Sequence, residues 1–542
     1  MESGAGSRPM GLSRGCGAEW RSFGNRRTSP HADRGLAEEQ RRGETGPRRR
    51  VISRSLRLGD LLIRGRMVTA EEIDRAVEYQ AVHGGRLGEN LVATGAISQK
   101  KLEEFLDRLP AEPADIPATG LEASELMGLM MKLIYASGLE SVRQFANSIK
   151  LPFPLVQDLV RTAVERKLLM SLGSRDRGNL GELAYMMTDE GRRWTLDLLN
   201  RSGYSGPAPV PLEQFTRQVN LQKITNEVVT FDRIRRATSA LTFEDAMIEQ
   251  CGPALNSGRA TLLYGPSGNG KTSVARCLAN VFHDVIFVPY AVDVEGQTIR
   301  VFDPSVHMAI DRTGSEDDSA LSLVRRDVFD ARWVACHRPC VIAGGELTLD
   351  MLDLRYDTTG HFYEAPLHVK ALGGCFVIDD FGHQLISPTD LLNRWVVPLE
   401  NRVDYLKLHT GKTFTVPFEE LIIFSTNLEP EDMMDAAFLR RLPYKIEVGA
   451  PTLESYRTIF EKECAKQGFE LPREVFETIV YKIRKEKGLE LARYQPKFIV
   501  DQVAASCRFM QQPPRFEPRF VNYALDNLRA KHRSQEIAAK AA

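Results

Sequence analysis

Little in this sequence points to a membrane, a disulfide scaffold or a chain-wide polyelectrolyte. No stretch reaches the roughly 18 uninterrupted apolar residues that a transmembrane helix needs, and the N-terminus lacks the apolar core of a secretory signal. A cytoplasmic location is therefore expected. Charge of one sign is not in excess: 71 Lys and Arg face 72 Asp and Glu, a formal charge of -1, which leaves no overall attraction to nucleic acid or anionic lipid. Eight cysteines in 542 residues, scattered from Cys16 to Cys507, fit reduced thiols rather than a disulfide framework. The one close pair, Cys336 and Cys340, is followed by no second Cys/His pair at zinc spacing. With 43% hydrophobic and 26% charged residues the composition is that of ordinary globular protein. The length predicts about three to five domains at roughly 100–200 residues each.

Residues 1–50 are rich in Arg, Gly and Ser and too poor in apolar residues to bury anything, so a disordered tail is expected. An internal repeat follows. Arg57-Leu58-Gly59-Asp60-Leu61-Leu62-Ile63 recurs as Arg86-Leu87-Gly88-Glu89-Asn90-Leu91-Val92, offset by 29 residues. Each unit leads into a capped helix, Thr69 with Glu72 in the first and Ser98 in the second, which predicts a small helical tandem-repeat domain over 51–109. Prolines at 110, 113 and 117 mark a linker over 110–120.

From 121 to 202 apolar stripes such as Leu126, Leu129, Met130 and Leu133 predict a further helical domain. The turn Leu151-Pro152-Phe153-Pro154 between helices, and the segment Tyr185–Arg192 returning after them, resemble a winged helix. Only Arg161, Arg166 and Lys167 are basic on the candidate recognition helix, so a protein-docking role is favoured over DNA binding. A second linker, 203–215, carries Gly203-Tyr204-Ser205-Gly206-Pro207-Ala208-Pro209.

The chemistry-bearing residues lie beyond. The strand-like Ala260–Tyr264 and a helix with Val274, Ala275 and Leu278 on one face flank Gly265-Pro266-Ser267-Gly268-Asn269-Gly270-Lys271-Thr272, followed by Ser273. This is G-x-x-x-x-G-K-[ST]. Its glycines let backbone N–H groups turn onto phosphate, Lys271 brings charge to the β- and γ-phosphates, and Thr272 can ligate Mg²⁺. A second apolar strand, Cys375–Ile378, ends in Asp379-Asp380, where Asp379 is positioned to hold Mg²⁺. A third, Leu421–Phe424, ends in Ser425-Thr426-Asn427, with Asn427 placed to orient a water. Arg440 and Arg441 close a short helix, and Lys497 sits in a C-terminal helical region.

This order of motifs resembles the AAA+ ATPases, over a core at 216–448 and a helical lid at 449–542. The resemblance implies an α/β P-loop fold, ATP and Mg²⁺ as cofactors, Lys271 and Thr272 as Walker A, and Asp379 and Asp380 as Walker B. It further implies Asn427 as sensor 1, Arg441 or its neighbour Arg440 as an arginine finger acting in trans, and Lys497 as sensor 2. A trans-acting finger implies a ring, usually hexameric. Two departures stand out: Asp380 where the family usually has Glu, one methylene shorter and so expected to hydrolyse slowly, and Lys497 where arginine is common. The interval from Lys271 to Asp379 is long enough for insertions. The segments Asp311–Ser319 and Thr358–Glu364 resemble the pore insertion of bacterial enhancer-binding activators, and Arg402–Phe414 alternates like a β-hairpin.

The paired Arg-Leu-Gly units resemble the MshEN domain of type II secretion and type IV pilus ATPases, whose tandem motifs bind cyclic di-GMP. The matching positions are Arg57, Leu58, Gly59, Leu62, Gln80, Arg86, Leu87, Gly88 and Leu91. Arg66 stands where glycine is expected, although Gly95 fits in the second unit, and Leu109 stands where the first unit has Gln80. A docking module without ligand is the alternative. Together these features imply an ATPase that remodels or moves a protein client, with secretion or pilus assembly as a setting. An ATP-dependent DNA-binding regulator and a nonhydrolytic nucleotide-switched scaffold are the competing readings.

Overall fold

A computed structural model describes residues 57–174, 183–239, 241–310 and 329–528. The expected tail at 1–50, the start of the repeat region, the segment Asp311–Ser319, residues 175–182 and residues 529–542 lie outside the described residues.

The repeat region forms two helical hairpins, α1 (Leu58–Arg64) with α2 (Ala70–His83) and α3 (Leu87–Ala93) with α4 (Gln99–Leu106). The capping box of α2 is formed: Thr69 N donates to Glu72 Oε2 at 2.7 Å and Glu72 N donates back to Thr69 Oγ1 at 3.3 Å. Gly59 and Gly88 are buried where the hairpins meet; a Cβ on Gly88 would stand 3.1 Å from Leu102 Cδ2. The glycines thus permit close helix packing.

Next come α5 (Ala123–Ser137), α6 (Val142–Ile149) and α7 (Phe153–Glu165), then the antiparallel pair β1 (Leu169–Ser174) and β2 (Leu183–Met187), and α8 (Asp189–Arg201). Their apolar stripes, among them Met130, Phe145, Ile149, Val156 and Leu159, form one cluster.

The segments read as linkers are not free spacers. Residues 203–215 include β3 (Val210–Pro211) and the start of α9 (Leu212–Leu221), with Ala208 and Val210 fully buried. The other segment wraps a buried ion pair: Arg332 bonds Asp330, Thr119 O at 2.9 Å and Pro209 O at 3.3 Å. A guanidinium buried this deeply needs most of its donors satisfied, and carbonyls from both segments supply them. The chain is tied down there rather than left as a hinge.

The α/β core follows. After α10 (Phe231–Ala237) and α11 (Asp245–Ser257) come β4 (Thr261–Tyr264), α12 (Lys271–Ala279), β5 (Val285–Pro289), β6 (Ala291–Val294), β7 (Gln297–Arg300), β8 (Trp333–His337) and β9 (Cys340–Ala343). Then β10 (Arg355–Asp357), β11 (Phe362–Glu364), β12 (Cys375–Ile378), α13 (Pro388–Asn401), β13 (Val403–Lys407), β14 (Thr413–Pro417), β15 (Leu421–Ser425) and β16 (Tyr444–Glu447) complete it. The central sheet runs β16-β4-β15-β12-β9, parallel throughout. Strands β12 and β15 are buried at every residue, as expected where helices cover both faces of a parallel sheet.

The material inserted between α12 and β12 forms the antiparallel pair β5–β8 and four strands of a second sheet, β10-β11-β7-β6-β3, whose edge strand β3 comes from the segment ahead of the core. The segment Thr358–Glu364 lies in and beside the β10–β11 hairpin. Its turn is engaged, with Gly203 N donating to Gly360 O at 2.7 Å and Tyr204 packing edge-on against Phe362. The alternation at 402–414 falls in the β13–β14 hairpin, whose His409 stacks on Tyr356 at 4.2 Å and whose Lys412 pairs with Glu295. The C-terminal helices α14 (Leu453–Lys466), α15 (Arg473–Tyr481), α16 (Gln495–Phe509) and α17 (Pro518–Asn527) enclose a cluster of their own. Among the described residues no helix is long and apolar enough to cross a membrane.

Candidate functional site

Because the central strands are parallel, everything that follows β4, β12 and β15 emerges at one edge. The register aligns Leu263 with Ser425 and Phe424 with Ile378, which brings Gly265–Thr272, Asp379-Asp380 and Asn427 together although more than 150 residues separate the first from the last.

The loop 265–272 needs its glycines. Gly265, Gly268 and Gly270 have φ of +127°, +81° and +85°, a region that penalises L side chains. A Cβ at Gly268 would also lie 2.4 Å from the Tyr494 ring. Lys271 is buried and donates to Gly265 O at 2.9 Å, Pro266 O at 3.1 Å and Asn427 Oδ1 at 2.5 Å. Burial lowers its pKa, while Asp380 and Asp379 oppose that shift.

Thr272 Oγ1 donates to Asp379 Oδ2 at 2.7 Å. Asp379 Oδ1 is buried and has no hydrogen-bond partner. An orphaned carboxylate oxygen beside a threonine hydroxyl at this glycine-rich loop is a donor set that suits a hydrated divalent cation. Asp380 stands exposed with φ +50°, and Asn427 Nδ2 approaches its Oδ1 at 3.5 Å. Asn427 therefore sits between the loop lysine and the second acid. Pro266 and Ser267 are exposed on the loop, Ser273 is exposed on the first turn of α12, and Asn269 is buried.

The C-terminal helices close over this loop. Tyr494 N donates to Gly268 O at 3.0 Å and Arg493 N to Asn269 Oδ1 at 3.2 Å. Between the two lies a cavity of about 250 Å³, lined on its apolar side by Leu241, Phe243, Val274 and Ile459. Lys497 lines it too, but its exposed ammonium lies 3.8 Å from Asp501. Arg493, which no motif in the sequence singles out, reaches further in: its side chain donates to Thr242 O, its Nε is buried without a partner, and burial lowers its pKa. The signal that could have found it is the guanidinium directly before the aromatic Tyr494 at the start of α16.

Arg440 and Arg441 are not at this edge. Strand β16 runs parallel to β4 with Tyr444 beside Thr261, so Arg441 precedes the amino end of the sheet. The length of β4, about 13 Å at ~3.3 Å per residue, lies between it and Gly265 of its own chain. Arg441 is held by Glu400, Nε to Oε1 at 2.7 Å, beside an open cavity of about 750 Å³ that Arg259, Arg440 and Tyr444 also line.

In the repeats, Arg57 and Arg86 occupy matching positions before α1 and α3, exposed and extended. Leu58 and Leu87 are half-buried, Gln80 donates to Gly85 O at 2.7 Å, and Leu62 and Leu91 are wholly buried in the core. On α7, Arg161 is paired with Asp158 at 2.9 Å. Among the described residues no group of three or more His, Cys, Asp or Glu is arranged to hold a metal by itself.

A family model described as a domain of unknown function (DUF8689) matches residues 452–527, the region of α14 to α17. The type IV pilus assembly ATPase PilB of Myxococcus xanthus (strain DK1622) is 41% identical over 58 residues, 11% of this chain and 10% of that protein. The chain thus matches about a tenth of that relative's length. Among solved structures, NtrX from Brucella abortus is similar at 14% identity over 60% of this chain and 62% of that one, with a TM-score of 0.33. The RuvB Holliday junction branch migration motor of Thermotoga maritima matches at 13% identity over 53% and 70%, TM-score 0.30. The AAA domain of FIGL-1 in complex with ADP matches at 14% over 58% and 84%, TM-score 0.28.

Proposed function

We propose that this chain is an ATP-binding and ATP-hydrolysing AAA+ protein that acts on a protein client. The observation that carries the reading is the meeting of Thr272 with Asp379 at 2.7 Å, next to Lys271 on a loop whose glycines hold left-handed backbone. Phosphate would lie against the loop's N–H groups at the start of α12, with Lys271 turning from its carbonyl partners to the β- and γ-oxygens. Mg²⁺, when bound, supplies neutralisation of phosphate charge, and Thr272 and Asp379 are the residues that would hold it. Asp380 and Asn427 would receive and orient the attacking water, and the cavity between Phe243 and Ile459 would take the base. Arg493 and Lys497 face that cavity from the lid. ATP turnover by the purified protein, measured against a Lys271→Ala control, tests the reading; equal rates would end it.

Arg441 lies a full strand length from its own phosphate loop, so any role in catalysis must be played on another copy. That supports a ring of this chain, as a hexamer, with Arg441 and the adjacent Arg440 reaching a neighbour's γ-phosphate. The tandem repeat is read as an MshEN-like module for cyclic di-GMP, supported by the matched, exposed Arg57 and Arg86, and the PilB match supports a setting in pilus assembly or secretion inside the cytoplasm. Titration of the full chain with cyclic di-GMP tests this.

A nonhydrolytic nucleotide-switched scaffold is the stronger of the two competing readings. Asp380 is short, and its carboxylate meets Asn427 only at the long distance of 3.5 Å, which suits a site that binds nucleotide without cleaving it. The DNA-binding reading of the winged-helix-like region draws less support, since Arg161 is already paired on α7.

A further inference from the structure

The repeat region touches a short turn at the far end of the helix that begins at the nucleotide loop. Helix α12, which begins at Lys271, is followed by Val281 and Phe282, both buried, then His283 and Asp284, and then β5. The turn is held from two sides. On the core side Glu227 accepts from His283 N at 2.7 Å and Asp284 N at 3.2 Å, and is itself paired with Arg338 at 3.0 Å and with Arg233. On the repeat side Arg66 Nη1 donates to His283 Nε2 at 2.8 Å, and Arg108 Nη1 to Asp284 Oδ2 at 3.0 Å.

Arg66 is the residue that breaks the repeat. Its counterpart 29 residues on is Gly95, φ +75°, with open space around it; Arg66 adopts the same left-handed turn at φ +52°. An arginine there carries backbone strain that glycine would not, and what it gains is the contact across to His283. That contact requires a neutral imidazole with Nε2 as acceptor. Burial, with the positive charges of Arg233, Arg66 and Arg236, pushes His283 down to about 4 against the opposing charge of Glu227. The apolar packing is continuous as well: Leu61, Leu91 and Phe105 of the repeats share one cluster with Val285 and Phe287 of β5 and Ala335 of β8.

We propose that Arg66 and Arg108 are positioning residues that fix the far end of α12, so that the state of the tandem repeat sets the affinity of the phosphate loop for nucleotide. The inference rests on the reading of residues 265–272 as a nucleotide site. Coupling of this kind is reciprocal: a change at the repeats that moves Arg66 alters nucleotide binding, and nucleotide alters the repeats.

Isothermal titration of the full chain with ADP tests it, using wild type, Arg66→Gly, His283→Ala, the double variant and Lys271→Ala. The expected result is a dissociation constant raised about threefold or more in each of the two single junction variants. The double variant should be no weaker than the weaker single one, and Arg66→Gly should melt no lower than wild type because glycine relieves the turn. Purely structural residues would change melting and leave ADP affinity alone, so affinities within threefold of wild type in both singles overturn the proposal. Should Arg66→Gly fold poorly, His283→Ala decides by the same threefold threshold. If wild type and Lys271→Ala bind ADP equally, or neither binds, the nucleotide reading itself has failed, an outcome distinct from wild-type-specific binding that ignores the junction.

Discussion

Lys271 Nζ donates to Asn427 Oδ1 at 2.5 Å, while the carbonyls of Gly265 and Pro266 take its remaining protons. All three ammonium donors are thus satisfied within the protein, so under the proposed function a triphosphate would compete with them. Asn427→Ala removes one competitor and also the amide that approaches Asp380. The expected outcome is a split: ADP affinity equal to or tighter than wild type, with the turnover number lowered about 10²-fold, the order seen when one preorganised polar group is lost. Steady-state kinetics alongside titration calorimetry reads both.

Asp380 holds φ +50°, which Asn tolerates nearly as well as Asp. Asp380→Asn should therefore fold and bind nucleotide normally while turnover falls about 10²–10⁴-fold, the range for loss of a general base. Glu is less suited to that backbone, and Asp380→Glu should lower stability by about 1 kcal/mol. Thermal melts with and without ADP separate the two effects.

Glu420 is wholly buried, with neither carboxylate oxygen bonded. Burial, partly offset by Arg402, raises its pKa well above 4.5. The folded chain keeps this proton over a range in which the unfolded chain has lost it, so the group's contribution to stability falls as pH rises above 4.5. Glu420→Gln removes the titration. The variant's melting temperature should exceed wild type by more at pH 8 than at pH 5, with a gain of roughly 1–3 kcal/mol at the higher pH. A constant difference across that range would contradict the assignment.

How far the sequence carries depends on whether a feature is local. The loop 265–272 is legible because its glycines at 265, 268 and 270 and its lysine at the start of a helix fall within one short stretch, and the strands β12 and β15 announce themselves as unbroken apolar runs. Arg493 is not legible in that way: its place at Asn269 and Thr242 exists only once the C-terminal helices fold back over the loop, and Lys497, a turn further along, carries the same charge in the sequence. The prolines at 110–117 and 207–209 signal irregular backbone, but not that Thr119 and Pro209 would present carbonyls to a buried Arg332. Arg66 reads as a defect in a repeat until His283, 217 residues away, comes beside it.

If one copy holds the nucleotide while another completes the site, two differently crippled chains should rescue each other. Arg441→Ala and Lys271→Ala chains, assembled together and assayed for ATP turnover, put this to the test. Each variant alone should turn over ATP at least 10³-fold more slowly than wild type, yet the mixture should regain activity, because the Lys271→Ala copy still offers Arg441 to the intact loop of its neighbour. A mixture as inactive as its components, or an Arg441→Ala protein as active as wild type, would show that the site is not shared between copies.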